Sequence, residues 1–179
     1  MSDIVIVSGS PVEVSRSQTI LDYIGSILEG KGISAECVSV REVPAEDLIS
    51  GNYKSFKVNE IAEKLMEADA VFVGSPVYKA AYSGVLKCLF DTPSQDVLYN
   101  TPVLPVMTGG SISHLLALEY ALKPLLSTLK GKPLKGIYCL DSQVDKMSPF
   151  PIQDKDLVSR TQKQLEYLVE QIDTGESFS

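Results

Sequence analysis

The sequence predicts a three-layer α/β protein built on a doubly wound parallel sheet. Five strand-like runs alternate with five helix-like stretches along 179 residues, as in β-α-β units with right-handed crossovers. Several of the strand-like runs are continuously apolar, as expected for strands covered by helices on both faces. The length fits one domain, residues 1–179. The strand order 2-1-3-4-5 suits five strands best, and it places a ligand between strands 1 and 3.

The elements follow one another in a regular order. The predicted strands are Ile4–Val7, Ala35–Val40, Ala70–Val73, Val103–Met107 and Gly136–Leu140. The predicted helices are Ser17–Glu29, Lys57–Ala68, Gly84–Phe90, His114–Leu129 and Asp154–Ile172. Pro105 argues against the fourth strand, because proline cannot donate to a ladder. Residues 141–151 are predicted to form a loop, and the polar tail 173–179 is expected to fray.

Composition excludes several classes of function. The net charge of −7, from 16 basic and 23 acidic residues, disfavours nucleic acid as a partner. The sequence has no run of 18 apolar residues, so no membrane span is predicted, and the N-terminus lacks the basic region of a signal peptide. Cys37, Cys88 and Cys139 are widely spaced and odd in number, which argues against disulfide and zinc frameworks and favours the cytoplasm. His114 is the only histidine, so a mechanism with two imidazoles is excluded.

Three loops follow strands 1, 3 and 4, where an open α/β sheet binds its ligands. The first, Ser8–Ser17, combines hydroxyl groups and Arg16 at a helix N-terminus, which suits a phosphate. Alternatively, it is a polar loop with Ser15 or Ser17 as the helix cap. It lacks GxxxxGK[ST] and GxGxxG, which argues against nucleotide triphosphate hydrolysis and against a stably held dinucleotide. A mononucleotide phosphate is the better fit.

The loops after strands 3 and 4 favour a flat ring. Residues 74–84 place Tyr78 and Tyr82 at the switch point, although both tyrosines could simply be packing residues. Residues 108–113 contain two adjacent glycines, which let backbone approach a ligand, although a flexible loop capped by Ser113 would also explain them. His114 would then be the first helical residue, neutral and not catalytic. Together the three loops indicate a flat phosphorylated cofactor, and FMN is the natural candidate.

Three motifs carry a family resemblance: G-S-P…S-R-S, S-P-V-Y-K-A-A-Y-S-G-x-L-K and T-G-G-S-x-x-H-L-L-A-L-E-Y-A-L-K-P. The chain resembles the flavodoxin-like NAD(P)H-dependent FMN reductases, most of all the flavin reductase component of bacterial two-component alkanesulfonate monooxygenase systems. The resemblance extends from strand 1 to Asp141–Gln143. It implies NADPH as the hydride donor and a homo-oligomer, either a dimer or a tetramer built from dimers. It also implies that reduced FMN passes to a partner monooxygenase that cleaves alkanesulfonates to supply sulfur.

The resemblance also assigns site residues. The FMN phosphate is expected at Ser10, Ser15, Arg16 and Ser17. The ring and ribityl chain are expected at Pro76, Val77, Tyr78, Lys79, Thr108, Gly109 and Gly110, with Ser113 in the same loop. The nicotinamide would stack on the exposed face of the flavin, near Tyr78, Tyr82 and the loop of residues 108–113. Flavin reduction needs no side-chain acid or base, so no catalytic residue is named and no metal is expected.

The fourth predicted helix contains Pro124. Proline has no N–H, and its ring clashes with the carbonyl of Tyr120, so the helix should widen or kink over residues 120–124. A π-bulge is one accepted solution. In the family that the chain resembles, a π-helix with a tyrosine here lies at the subunit interface. The helix is apolar on several faces, so Tyr120, Tyr82 and Leu116 are predicted to lie at an oligomer interface; a kinked core helix in a monomer is the alternative.

Three further functions stay open from the residues alone. One is an azo or quinone reductase with tightly held FMN. Another is a flavodoxin-type electron carrier, with which the pI near 4.7 is compatible. The last is a non-enzymatic interaction module, because fold does not determine function.

Overall fold

The structure, a computed structural model, describes residues 3–174. Its strands are β1 (Asp3–Ser8), β2 (Ser34–Ser39), β3 (Ala70–Pro76), β4 (Pro102–Gly109), β5 (Lys132–Pro133) and β6 (Ile137–Leu140). Its α-helices are α1 (Arg16–Gly30), α2 (Ala45–Ser50), α3 (Phe56–Glu67), α4 (Gly84–Asp91), α5 (Leu115–Ala117), α6 (Lys123–Thr128) and α7 (Lys155–Thr174). A π-helix, Leu118–Leu122, joins α5 to α6. Within the described residues, no helix is long and apolar enough to cross a membrane.

The sheet has the predicted order. Its strands run β2-β1-β3-β4-β5, with β6 also paired to β4, and every pair is parallel. Alternate strand residues point to opposite faces. Val5 and Val7 face the core beneath α3, α4 and the π-helix, while Ile4 and Ile6 face the core beneath α1 and α7. The fold class and the flavodoxin-like strand order are therefore confirmed.

Pro105 is part of β4, and the neighbouring strand breaks opposite it. The predicted fifth strand is two short runs, β5 and β6, separated by residues 134–136. Gly136 has a φ of +88°, and a Cβ atom there would lie 2.8 Å from Cγ of Pro105. The side chain of Gln164, on α7, donates to the carbonyl of Gly136 (2.7 Å) and accepts from its N–H (2.9 Å). The strand is thus interrupted opposite the residue of β4 that has no N–H to offer, and a glutamine side chain bonds both main-chain groups of Gly136.

The widening predicted over residues 120–124 is confirmed by the π-helix. Leu115, on α5 before the π-helix, is 40% exposed. The buried stripe consists of Leu118, Leu122, Leu126 and Leu129.

Smaller predictions at the element ends were wrong or incomplete. α2 was not predicted, because a helix of six residues is too short to show an amphipathic period. His114 does not begin an α-helix: it ends a 3₁₀ turn, Ile112–His114, whose cap is Ser111 and not Ser113. α7 continues to Thr174, two residues into the tail that was expected to fray, and residues 175–179 lie outside the described part of the chain.

Candidate functional site

The three predicted loops meet at one end of the sheet. Ser8 at the end of β1 pairs with Gly74 of β3, and Pro76 at the end of β3 pairs with Thr108 of β4. Main-chain bonds continue beyond the strands, from the N–H of Gly9 to the carbonyl of Gly74 (2.7 Å) and from the N–H of Val77 to the carbonyl of Thr108 (2.8 Å). The strand tips therefore form one continuous edge, as the predicted strand order requires.

The loop after β1 leads into the N-terminus of α1. Ser15 is the N-cap of α1, and its hydroxyl accepts a hydrogen bond from the N–H of Gln18 (3.1 Å). Of the two predicted cap residues, Ser15 and Ser17, Ser15 is therefore the correct one. The cap leaves the N–H groups of Arg16 and Ser17 directed out of the helix, where an anion binds. The hydroxyl of Ser17 is buried 3.2 Å from that of Ser15. Ser15 can therefore cap the helix while the N–H groups of Arg16 and Ser17 remain available to an anion.

Arg16 and Ser10, the other two residues predicted to bind the phosphate, are held in different ways. Arg16 is exposed, and its Nε donates to the carbonyl of Asp141 (3.1 Å) in the loop after β6. This bond orients the guanidinium and leaves its terminal N–H groups available. Ser10 is fully buried, and its hydroxyl donates to the carbonyl of Val12 (2.9 Å) and accepts from the N–H of the same residue (3.1 Å). Ser10 therefore shapes the loop by bonding the main chain of Val12.

The loop after β3 contains a tight turn of unusual composition. Tyr78 and Ala81 exchange two main-chain hydrogen bonds (2.8 and 3.2 Å), and the two residues between them, Lys79 and Ala80, have φ values of 50° and 65°. Both φ values are positive, which is the pattern of a type I′ turn that asparagine and glycine normally occupy. Side chains cost free energy in this conformation, and such strain concentrates at functional sites. The turn exposes Tyr78 and Lys79, while Pro76 and Val77 are half-buried beneath it.

The two glycines after β4 have different roles. A Cβ atom on Gly109 would lie 2.7 Å from the hydroxyl of Tyr138 and 3.2 Å from Nδ1 of His114, so this glycine is required by packing within the protein. Gly110 is exposed, and the nearest atom to a Cβ there is 3.7 Å away. The backbone that a ligand could approach without a side chain in the way is therefore that of Gly110. Thr108 is buried, and Ser113 is exposed on the following turn.

Four residues that were not predicted hold these loops in place. Ser83, the N-cap of α4, donates to the carbonyl of Gly9 and so joins the first two loops. Tyr138 on β6 donates to the carbonyl of Ser111, which fixes the loop after β4, and burial raises the pKa of its phenol. Asp141 and Lys146 bond the first loop from the segment after β6. The one feature of the sequence that could have indicated Asp141 and Lys146 is that residues 141–146 follow a predicted strand, whose end lies at the same edge of the sheet as the three loops.

The geometry fits FMN at its phosphate end and at its ring end. The helix N-terminus with Arg16 suits a dianionic phosphate. The buried hydroxyl of Ser8, at the tip of β1, has no partner among the described residues, so a polar ligand atom at this edge would complete it. Tyr78 and Gly110 leave an exposed surface on the other side. The fold is that of a flavodoxin-like α/β protein, and the carboxyl ends of its strands form a candidate mononucleotide site.

Comparison with known proteins identifies the family. A family profile described as NADPH-dependent FMN reductase matches residues 2–145. The FMN reductase (NADPH) of Pseudomonas putida KT2440 is 43% identical over 142 residues, which cover 79% of this chain and 72% of that protein. The FMN reductase (NADPH) of Escherichia coli K12 is 41% identical over 142 residues, covering 79% and 74%. The chain belongs to the NADPH-dependent FMN reductase family, and the predicted resemblance is confirmed.

A solved structure agrees with this assignment. The apo form of an NADH:FMN oxidoreductase superposes with a TM-score of 0.84 at 27% identity, covering 94% of this chain and 88% of that one. The protein is therefore an FMN reductase, with NADPH as the electron donor and FMN as the flavin. This excludes the non-enzymatic module that the sequence left open.

The three predicted interface residues do not all lie together. Tyr82 and Tyr120 line the same surface groove of about 490 Å³ between α4 and the π-helix, and Tyr120 is 79% exposed. Leu116 is 57% exposed but does not line this groove. The structure thus brings two of the three residues to one surface.

Proposed function

We propose that the chain reduces FMN at the strand tips and releases the reduced flavin to a separate flavin-dependent monooxygenase, with alkanesulfonate desulfonation as its purpose. The observation that carries the proposal is the asymmetry of the site. One end offers a helix N-terminus and Arg16, and the other end, at Tyr78 and Gly110, is open to solvent.

The chain's own residues bind and orient the reactants. The N–H groups of Arg16 and Ser17, with the guanidinium held by the carbonyl of Asp141, bind the phosphate. The residues assigned to the ring and ribityl chain are Pro76, Val77, Tyr78, Lys79, Thr108, Gly109, Gly110 and Ser113. The flavin itself supplies the redox chemistry, accepting hydride from the nicotinamide, so orientation is the protein's main contribution. The exposed phenol of Tyr78 is the surface against which the nicotinamide would stack.

The phosphate assignment is tested with Arg16→Ala. Loss of a charged hydrogen bond costs about 1.5–3 kcal/mol, which corresponds to an increase of about 10- to 150-fold in the Kd for FMN. The measurement is a fluorescence titration of FMN, together with NADPH oxidation at saturating flavin. Arg41→Ala, which removes an exposed arginine elsewhere, is the matched control and should leave both values unchanged. Unchanged FMN affinity in Arg16→Ala would show that the phosphate binds elsewhere.

Delivery to a partner requires that the flavin dissociates. The alternative, an azo or quinone reductase, would keep FMN through dialysis, and an FMN-dependent NADPH-azoreductase of Staphylococcus aureus is 29% identical over 60% of this chain. A colourless protein after dialysis that regains NADPH oxidation when FMN is added supports delivery. A yellow protein whose flavin survives dialysis supports the alternative. An electron carrier would stay oxidised when mixed with NADPH alone.

We also propose that the groove between Tyr82 and Tyr120 is an interface between copies of this chain, with Leu116 at its margin. Tyr120 is exposed on the π-helix beside a groove whose lining includes Phe90, Ala121 and Leu125, and exposed apolar surface marks interaction sites. Tyr120→Ala should lower the sedimentation coefficient of the oligomer, whereas Tyr99→Ala, at another exposed tyrosine that lies outside the groove, should not. A monomeric wild-type protein would contradict the proposal.

A further inference from the structure

A second cavity lies at the β6 edge of the sheet. It has a volume of about 390 Å³ and lies over β6, between α7 and the segment from Ile112 to Glu119. We call it the edge pocket. Its α7 wall, Leu157 to Gln164, lies beyond residue 145, where the match to the reductase family ends. The rest of its lining, from Ile112 to Gln143, lies within that match, but none of the lining residues is among those assigned to FMN.

The inner surface of the edge pocket is apolar. Leu118, Ile137 and Leu157 are buried at its base. At its rim Leu115 is 40% exposed and Ile112 is 66% exposed. Leucine and isoleucine side chains gain about 25 cal/mol for each Å² of apolar surface removed from water, so a ligand with an apolar body would be stabilised here.

The mouth of the pocket is positively charged. Lys135, Arg160 and Lys163 line it, and none of them forms an ion pair within 4 Å with another described residue. Glu119 is the one acidic residue among those lining the pocket, and its carboxylate is bonded to Lys123 at 2.8 and 3.0 Å. Three cations without an ion pair at one opening stand out in a chain with a net charge of −7; Arg160 also interacts electrostatically with Asp154, at a longer range. Such a cluster attracts an anion.

The polar groups inside the pocket are satisfied except for one. Gln164 is bonded to Gly136, and Gln143 accepts from the N–H of Leu140 (2.9 Å). The hydroxyl of Thr161, a residue that is 1% exposed, has no partner among the described residues. An unmade buried hydrogen bond costs about 1–3 kcal/mol, so a polar ligand atom that reaches Thr161 would recover part of this cost.

From these observations we infer that the edge pocket binds a small amphiphilic anion, an aliphatic or aromatic carboxylate. Its apolar body contacts the leucine-lined base, and its carboxylate lies at the mouth formed by Lys135, Arg160 and Lys163. This site is separate from flavin reduction and does not depend on the function proposed above.

The inference is tested with decanoate as the probe, by calorimetric titration of the protein saturated with FMN. Decanoate should bind, whereas decyltrimethylammonium, with the same chain and the opposite charge, should not. The triple variant Lys135→Gln, Arg160→Gln, Lys163→Gln should weaken decanoate binding at least tenfold, because charged hydrogen bonds are lost. Lys155→Gln, on α7 but outside the pocket, is the matched control. NADPH oxidation by the triple variant should equal that of the wild type.

Four results would overturn the inference. They are no binding of decanoate at millimolar concentration, equal binding of decyltrimethylammonium, displacement of decanoate by additional FMN or NADPH, and equal affinity of the wild type and the triple variant. If instead a second copy of the chain covers the pocket, decanoate does not bind and the triple variant changes the sedimentation coefficient.

Discussion

Replacing Gln164 with alanine tests how the break between β5 and β6 is stabilised. The side chain amide makes two hydrogen bonds to Gly136, of 2.9 and 2.7 Å, and no other residue replaces them in the strand. A typical hydrogen bond contributes about 1 kcal/mol net, so two contribute about 2 kcal/mol. Gly136 is half-buried, which lets water restore some of the loss and keeps the cost from rising further.

We therefore expect Gln164→Ala to lower the free energy of unfolding by about 2 kcal/mol, and the Tm by about 4–8 °C for a chain of this length. Urea denaturation measures the first value, and the m-value should stay unchanged. Gln162→Ala, at an exposed position on the same helix, is the control and should change stability by less than about 0.5 kcal/mol. Hydrogen exchange gives a direct readout, because the Gly136 amide should lose protection only in Gln164→Ala. Equal stabilities of the two variants, or a Gly136 amide that stays protected, would refute the reasoning.

Four further predictions follow from contacts described above. Ala80→Gly should raise the Tm by a few degrees, because glycine relieves about 1 kcal/mol of left-handed strain at φ 65°. Ala81→Gly, the control, should lower the Tm. A lower Tm for both variants would show that Ala80 is not strained. Gly109→Ala should lower the free energy of unfolding, measured by urea denaturation, by about 1–3 kcal/mol, because its Cβ atom would contact the Tyr138 hydroxyl. Adding Tyr138→Phe to the same chain should recover part of this loss. If nothing is recovered, that contact is not the cause. The N–H of Leu157, bonded to Asp154 at 2.8 Å, holds the pKa of that carboxyl below its usual value. The stabilisation is therefore present above about pH 4 and is lost as the pH falls through the lower, folded-state pKa. Asp154→Asn should flatten the acid limb of a stability–pH curve, and an unchanged limb would show that the Asp154 carboxylate does not stabilise the fold. Burial raises the pKa of the Cys139 thiol to about 12, so in the folded protein iodoacetamide at pH 8 should leave Cys139 unmodified, as peptide mapping would show.

The sheet order and the position of the three loops at the strand tips could be predicted because they depend on local signals. Continuous apolar runs such as Ala70–Val73 identify buried strands, and their alternation with helices restricts the topology. The π-helix could be predicted for the same reason, since Pro124 removes a specific bond to Tyr120.

The remaining features depend on contacts between distant parts of the chain. Gly109 was predicted to make room for a ligand, but its neighbours are Tyr138 and His114, and Tyr138 lies on another strand. The carbonyl of Asp141 orients Arg16 from 125 residues away, and no spacing in the sequence indicates this contact. The break opposite Pro105 shows the same limit: the sequence contains the proline, but only the folded sheet shows that the neighbouring strand adapts to it.

The interrupted outer strand also affects how these molecules behave towards one another at high concentration. An exposed sheet edge is a template on which a strand from another molecule can add, and this is a common start of aggregation. Here such a strand would find runs of only two and four residues, separated by the bend at Gly136. The outward main-chain groups of Gly136 and the N–H of Leu140 are already bonded to glutamine side chains. Pro105, a poor residue for a central strand, thus helps this acidic protein to resist edge-to-edge polymerisation.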